Sequence, residues 1–342
     1  MKRILVVLPN WFGDTLFATP VLRALRRERP NAFIATLGWP NCREMLQHNP
    51  CVDMMLDYDE KGRDRSLGAK WALVRMLRSH HFDAALLLRK SFSRALLLAC
   101  ARIPVRVGFD HSKANWLLTH HAPMPVGPVH KAASYRPLLA AIGLTSALES
   151  YEYFVSEEER CQAQALLRTP SGVDGARLVV LHPGANWFHK RWAPERFAAL
   201  GDRLMEQAAA RIVITGAPDD RTVVESIAAR MHHPVTVLAG ETTLRQLGAC
   251  LQQAQLVVSN DTGISHMAAA LGRPLVALYG PTSPLLTGPL GDPQRTIVVH
   301  HVDCCPEIPC YHPTDPPHPG MNAITVDEAY SAAVQLLRRH DG

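Results

Sequence analysis

Asp261, Thr262 and Gly263 stand where an apolar run, Leu256-Val257-Val258, breaks into polar residues. A stretch of small residues follows, and Gly272-Arg273-Pro274 then opens a second apolar run ending at Gly280-Pro281-Thr282. The pattern predicts strand, polar turn, helix, strand, with the polar residues at the carboxyl end of the first strand. Open α/β sheets bind ligands at that end. A helix beginning near Gly263 offers unpaired N–H groups and a positive dipole end to an anion such as phosphate. Asp261 beside it suits hydroxyls better than phosphate. Together they point to a nucleotide joined to a polyol.

A second candidate is Asp14, in Pro9-Asn10-Trp11-Phe12-Gly13-Asp14-Thr15 after the first apolar run. Two readings stand for it. It caps the following helix, a role Asp favours, or it remains an anion available as a base to a bound hydroxyl. Lys190 and Arg191 lie in a long polar turn before Pro194, in the same half as Asp261, where a cation reaches a diphosphate. Asp261-Thr262-Gly263 is also the tripeptide of aspartic proteases, but a single copy on an alternating α/β pattern excludes that class. Neither Gly-x-Gly-x-x-Gly nor a P-loop sequence is present, which argues against a dehydrogenase or a P-loop NTPase. Asp57-Tyr58-Asp59 reads as a charged loop rather than a metal-binding pair. Cys304-Cys305 and Cys310, with His300, His301, His312 and His318 nearby, match no regular zinc spacing, and no metal site is assigned.

These turns need a frame. Candidate strands are Ile4–Leu8, Phe33–Leu37, Val52–Leu56, Ala84–Leu88 and Arg106–Gly108, then Leu178–Leu181, Arg211–Thr215, Val235–Leu238, Leu256–Ser259, Leu275–Leu278 and Thr296–Val299. Helical patterns between them imply parallel sheets covered on both faces. The chain has 342 residues, long for one core. Ile4–Pro9 and Leu178–Pro183 open its halves alike, and Thr169–Gly172 reads as the linker. No apolar run reaches a membrane span, and the short apolar start fits a strand better than an export signal. Between Lys61 and Arg136, fourteen Lys and Arg face three Asp, a net of +11 in a chain totalling +5. That is either a basic solvated face or a surface for an anionic partner. Aromatics are not interleaved with it, so nucleic acid is not expected.

Taken together, Asn10-Trp11-Phe12-Gly13-Asp14, Lys190-Arg191-Trp192 with Pro194, the Ser259–Gly272 stretch and Gly280-Pro281-Thr282 resemble glycosyltransferase family 9, the ADP-heptose:lipopolysaccharide heptosyltransferases. Pro9-Asn10-Trp11 and Ser91-Phe92-Ser93-Arg94-Ala95-Leu96 resemble the branch that adds the second inner-core heptose. The resemblance implies an α/β GT-B fold, two Rossmann-like domains with parallel sheets facing a central cleft. Residues 1–168 would hold the acceptor and 169–325 ADP-heptose, with a helix at 326–342 packing back on the first domain. It implies Asp14 as catalytic base, Lys190 on the diphosphate, and Asp261, Thr262, Gly263 and His266 lining the donor site. The acceptor would be Kdo-containing lipid A at the cytoplasmic face of a Gram-negative inner membrane. Arg89, Lys90 and Arg94 are assigned to the acceptor from charge alone. No cofactor is obligatory, and Mg2+ is at most stimulatory. The alternatives are heptosyltransferase I or another ADP-heptose transferase of the family, or a non-hydrolysing nucleotide-sugar epimerase on a similar fold. The tail departs from the family pattern, with Gly320-Met321 where many relatives have Cys-Met.

Overall fold

The computed structural model describes residues 1–145, 150–168, 176–305, 308–310 and 318–339. The chain divides into two units, Met1–Phe154 and Val155–Gly342. In the first, β1 (Arg3–Val7), β2 (Phe33–Gly38), β3 (Met54–Asp57), β4 (Ala84–Leu87), β5 (Val105–Phe109) and β6 (His120–Ala122) form one sheet in the order β3-β2-β1-β4-β5-β6. Every pairing in it is parallel. Ile4 to Val7 are fully buried because helices cover both faces, which explains the unbroken apolar run. One face packs Leu5, Val7, Leu37 and Leu87 against Leu73, Leu77 and Leu98 of the helices Leu67–Ser79 and Phe92–Cys100.

The second unit repeats this plan. β7 (Arg177–His182), β8 (Ala210–Ile214), β9 (Thr236–Val237), β10 (Leu256–Asn260), β11 (Leu275–Tyr279) and β12 (Thr296–His300) lie in the order β12-β11-β10-β7-β8-β9. Numbered from its own first strand, the order equals that of the first unit, 3-2-1-4-5-6. In both, strands one and four are neighbours and the chain winds outward from them in opposite directions. The loops that follow those two strands diverge and leave a crevice at the carboxyl edge.

All eleven expected strands are present, and β6 is added. His120 and His121 are exposed at the sheet edge, so no apolar signal marks them. The first helix starts at Phe12, so Asp14 lies inside it rather than before it.

The unit boundary falls before the expected one. Helix Glu157–Leu166, capped by Ser156 and Glu159 in a reciprocal box, packs on helix Leu244–Gln253 of the second unit. Arg245 holds Glu159 through two hydrogen bonds, 2.8 Å to Oε1 and 2.7 Å to Oε2. The expected linker, Thr169–Gly172, lies outside the described residues. The last helix, Val326–Arg339, was expected on the first domain. Its apolar stripe of Ala329, Ala332, Ala333, Leu336 and Leu337 is instead part of the second unit's core, against β10, β11, β12 and helix Pro194–Ala208. The i, i+3, i+4, i+7 spacing makes one face that this sheet covers. Among the described residues, no helix is long and apolar enough to cross a membrane.

Candidate functional site

In the second unit the polar residues gather after β7 and β10, the neighbouring first and fourth strands. Asn260 ties their loops together. Its Nδ2 donates to Pro183 O at 2.7 Å, and its Oδ1 accepts the Trp192 N–H at 3.2 Å. Trp192 is buried and donates its indole N–H to Ile324 O, which anchors the far end of the turn. Arg191 closes the turn from within, donating to Ala185 O and to Asp220 Oδ1. Gly184 is required beside it, since a Cβ there would come within 2.3 Å of Asp220 Oδ2. Arg191 therefore shapes the turn, and Lys190 is left as its forward cation.

Lys190 Nζ donates to Asp261 Oδ2 at 2.6 Å, and Thr282 Oγ1 donates to the same oxygen at 2.5 Å. Asp261 is buried, and its backbone N–H donates to Leu278 O. Burial alone would raise its carboxyl. Lys190, then His266, and the bonds from Lys190 and Thr282 outweigh that and hold it below the usual carboxylate value. His266 is itself buried, on the helix Gly263–Ala270. Thr262 caps that helix, accepting the Ile264 N–H at 3.1 Å. Gly263 opens it without a side chain to obstruct approach. The result is a fixed ammonium and a helix N-terminus beside a buried carboxylate, an arrangement suited to a diphosphate. The structure thus brings Lys190, Asp261, Thr262, Gly263 and His266 together. In the sequence Thr282 stands only at the end of the Gly280-Pro281-Thr282 motif. Nothing in its type signalled a bond across the turn.

In the first unit Asp14 lies in the first turn of helix Phe12–Glu28. The cap residue is Trp11, with no side-chain capping bond. The capping reading of Asp14 is therefore displaced. Its carboxylate instead meets Lys131 Nζ at 2.8 Å and is about one-fifth exposed. In the sequence Lys131 is one of the fourteen basic residues between Lys61 and Arg136. Its partner is far away along the chain, and no local pattern joins them. Tyr135 is buried close by; burial, with the Asp14 charge added, holds its phenol above the ordinary value and so protonated.

The acceptor assignment of Arg94 is corrected. Arg94 is 1% exposed and acts inward. Its Nη1 donates to Leu8 O at 2.6 Å, and its Nη2 donates to Asn10 Oδ1 at 2.6 Å, with Glu60 at 3.5 Å. It lies over Tyr58, 5.9 Å from the ring centroid. Ser91 caps the helix that carries it by accepting the Arg94 backbone N–H. Arg89 and Lys90 are exposed beyond β4, beside Ser91, Gly108 and His111 around a small recess. Asp57 is the last residue of β3 and pairs with Arg43 of helix Pro40–Leu46, whereas Asp59 accepts the N–H groups of Gly62 and Arg63, so the charged-loop expectation holds for Asp59 and not for Asp57.

A sequence model of glycosyltransferase family 9 (heptosyltransferase) matches residues 70–315. The chain is 31% identical to lipopolysaccharide heptosyltransferase 2 of Salmonella typhimurium over 309 residues, covering 86% of this chain and 87% of that protein. It is 30% identical to lipopolysaccharide heptosyltransferase 3 of Escherichia coli, over 82% of this chain and 84% of the other. The solved structure of Escherichia coli ADP-heptose lipopolysaccharide heptosyltransferase II superposes with a TM-score of 0.82 at 27% identity, covering 99% of this chain and 100% of that one.

Proposed function

The chain belongs to glycosyltransferase family 9, and on that footing we propose that it transfers heptose from ADP-heptose to the second heptose position of the lipopolysaccharide inner core. The reading rests most on the Lys190–Asp261–Thr282 group at the head of helix Gly263–Ala270. It is supported by the relatives named heptosyltransferase 2. Both sheets carry the doubly wound plan of the GT-B fold.

Chemically, one displacement suffices. Asp14 takes the proton of an acceptor hydroxyl, whose oxygen attacks the anomeric carbon as the bond to ADP breaks, with inversion. ADP leaves readily, and Lys190 with the helix N–H groups receives its developing charge. Asp261 holds Lys190 in place. No divalent ion is obligatory at the diphosphate, so turnover continues without added magnesium.

The acceptor carries Kdo on lipid A, which suits the basic first unit. Contrary to the expectation that aromatics are not interleaved with the basic stretch, exposed Trp71 and Trp116 lie within it, and they favour peripheral association with the inner face of the inner membrane. The similarity to a heptosyltransferase 3 keeps a later heptose as the second reading. An acceptor panel separates them. Purified enzyme with ADP-heptose is offered lipid A–Kdo cores bearing no heptose, one or two, and the product is read by mass spectrometry. Extension of the one-heptose core supports the proposal. Turnover confined to the two-heptose core replaces it with the second reading. Conversion of the nucleotide sugar without acceptor makes the protein an epimerase.

A further inference from the structure

Cys305, Cys310 and His318 follow no regular zinc spacing, yet the fold brings their ligand atoms within 4.8 Å of one another. Cys310 is 2% exposed and His318 1%. His318 Nδ1 accepts the Gly320 N–H at 3.1 Å. A neutral ring with Nδ1 as acceptor carries its proton on Nε2. That Nε2 is buried with no hydrogen-bond partner among the described residues. Buried polar atoms are nearly always satisfied, so this one points to an occupant.

We propose that Cys305, Cys310 and His318 form a binding site for a thiophilic divalent cation, with zinc as the ion their chemistry selects. Two thiolates and an imidazole suit zinc over magnesium or calcium. A tetrahedral ion with Zn–S bonds of about 2.3 Å sets its sulfurs about 3.8 Å apart. The sulfurs therefore close by no more than about 1 Å. On binding, both thiols lose their protons to solvent. The ring proton moves from Nε2 to Nδ1, which frees the Nε2 lone pair for the metal and ends the Gly320 hydrogen bond. Two thiolates balance the ion's two charges, and a water fills the fourth position.

The place of the site gives the ion a structural role. The Cys310 N–H donates to Pro281 O at 2.7 Å. Gly280, one residue earlier, is packed so closely on Met321 that a Cβ would lie 2.4 Å from its Cγ. Thr282, one residue later, is the donor to Asp261. The ion pins residues 305, 310 and 318 against the turn that supplies Thr282.

The test uses the full untagged chain, reduced, stripped of metal and titrated with Co2+. The expected result is saturation at about one equivalent, with a thiolate-to-cobalt charge-transfer band and tetrahedral d–d bands that Zn2+ displaces. Cys305→Ser and His318→Gln should each lose that spectrum, whereas Cys161→Ser, on the exposed face of helix Glu157–Leu166, should keep it. In unmodified protein, Zn2+ should also slow alkylation of Cys305, a readout that survives if either variant fails to fold. No charge-transfer band in the unmodified chain, or a band undiminished in both variants, overturns the site. None of these readouts involves turnover, so the outcome is independent of the transferase reading.

Discussion

Lys131 Nζ lies 2.8 Å from Asp14 Oδ2, joining the last part of the first unit to the first turn of its first helix. An aspartate that served only to start the helix would bond the backbone N–H groups at its head. This one is turned to a cation instead, with its carboxylate fixed and still partly open to solvent. Lys131 also lies 5.5 Å from the Phe17 ring centroid, which limits the paths its side chain can take. In the proposed mechanism the pair would act as a base and the group that orients it.

Asp14→Asn keeps the shape of the side chain and removes the proposed base. Turnover should fall by roughly 10²–10⁴-fold while ADP affinity is unchanged. Lys131→Ala should lower kcat by about tenfold through loss of orientation. Steady-state kinetics beside calorimetric ADP binding check both. Near-normal turnover in a folded Asp14→Asn protein would remove Asp14 from the mechanism.

Lys190→Ala removes the cation assigned to the diphosphate. ADP should bind about 10–100-fold more weakly, the range of a charged hydrogen bond. Asp261→Ala should weaken ADP less, because it unfastens Lys190 without removing it. Arg89→Ala and Lys90→Ala should leave ADP affinity unchanged. Calorimetry on the four variants gives the answer, and equal affinity in all of them would move the donor site elsewhere.

Arg94→Met deletes a buried charge on which Leu8 O, Asn10 and Glu60 converge. Removing one partner of such a group costs about 3–5 kcal/mol. Arg94→Lys should recover part of it, since an ammonium cannot reproduce the two-pronged contact. Urea unfolding measures the loss. A stability unchanged by Arg94→Met would return this residue to a surface role.

His182 predicts an acid-sensitive second unit. It is buried at the end of β7, and its Nδ1 is hydrogen-bonded to Thr215 Oγ1 at 3.0 Å. Burial, with Arg191 adding and Asp220 opposing, pushes its pKa down to about 4 from an ordinary 6.5. Between those values the unfolded chain binds the proton and the folded chain does not. The stabilisation is therefore complete above the ordinary value and falls away as pH drops towards about 4, by about 3 kcal/mol in all. His182→Gln should flatten this slope. Denaturant titrations across the window test it, and an equal slope in the variant would contradict the assignment.

The parts of this architecture visible in the sequence are those with a local signature. Leu256–Val258 and Ile4–Leu8 read as buried strands because a parallel sheet covered on both faces needs unbroken apolar runs. A helix start near Gly263 is legible from the small-residue stretch that follows the polar turn, whereas Thr262 as its cap is a structural finding. The Arg94 contact was hidden for the opposite reason. Its partners, Leu8, Asn10 and Glu60, are brought to it by topology, and a cation near a strand end reads as a surface group. Trp11-Phe12-Gly13 looked like a turn, yet helix begins at Phe12, so Asp14 moves from the cap position to the first turn. Lys131 and Thr282 were out of reach, since each gains its meaning from a carboxylate distant in the chain.

The Glu159–Arg245 bond sets where the protein can be cut. Both side chains are nearly buried, and helix Glu157–Leu166 covers helix Leu244–Gln253. A fragment expressed from residue 169 would discard that cover and strip Arg245 of the Glu159 carboxylate, at a cost of about 3–5 kcal/mol. It would also bare the face of helix Leu244–Gln253 that helix Glu157–Leu166 covers. A fragment that begins at Val155 keeps Ser156, the reciprocal cap and the bridge. Ligand studies on an isolated second half, and any chimaera that exchanges its first half, have their natural joint there.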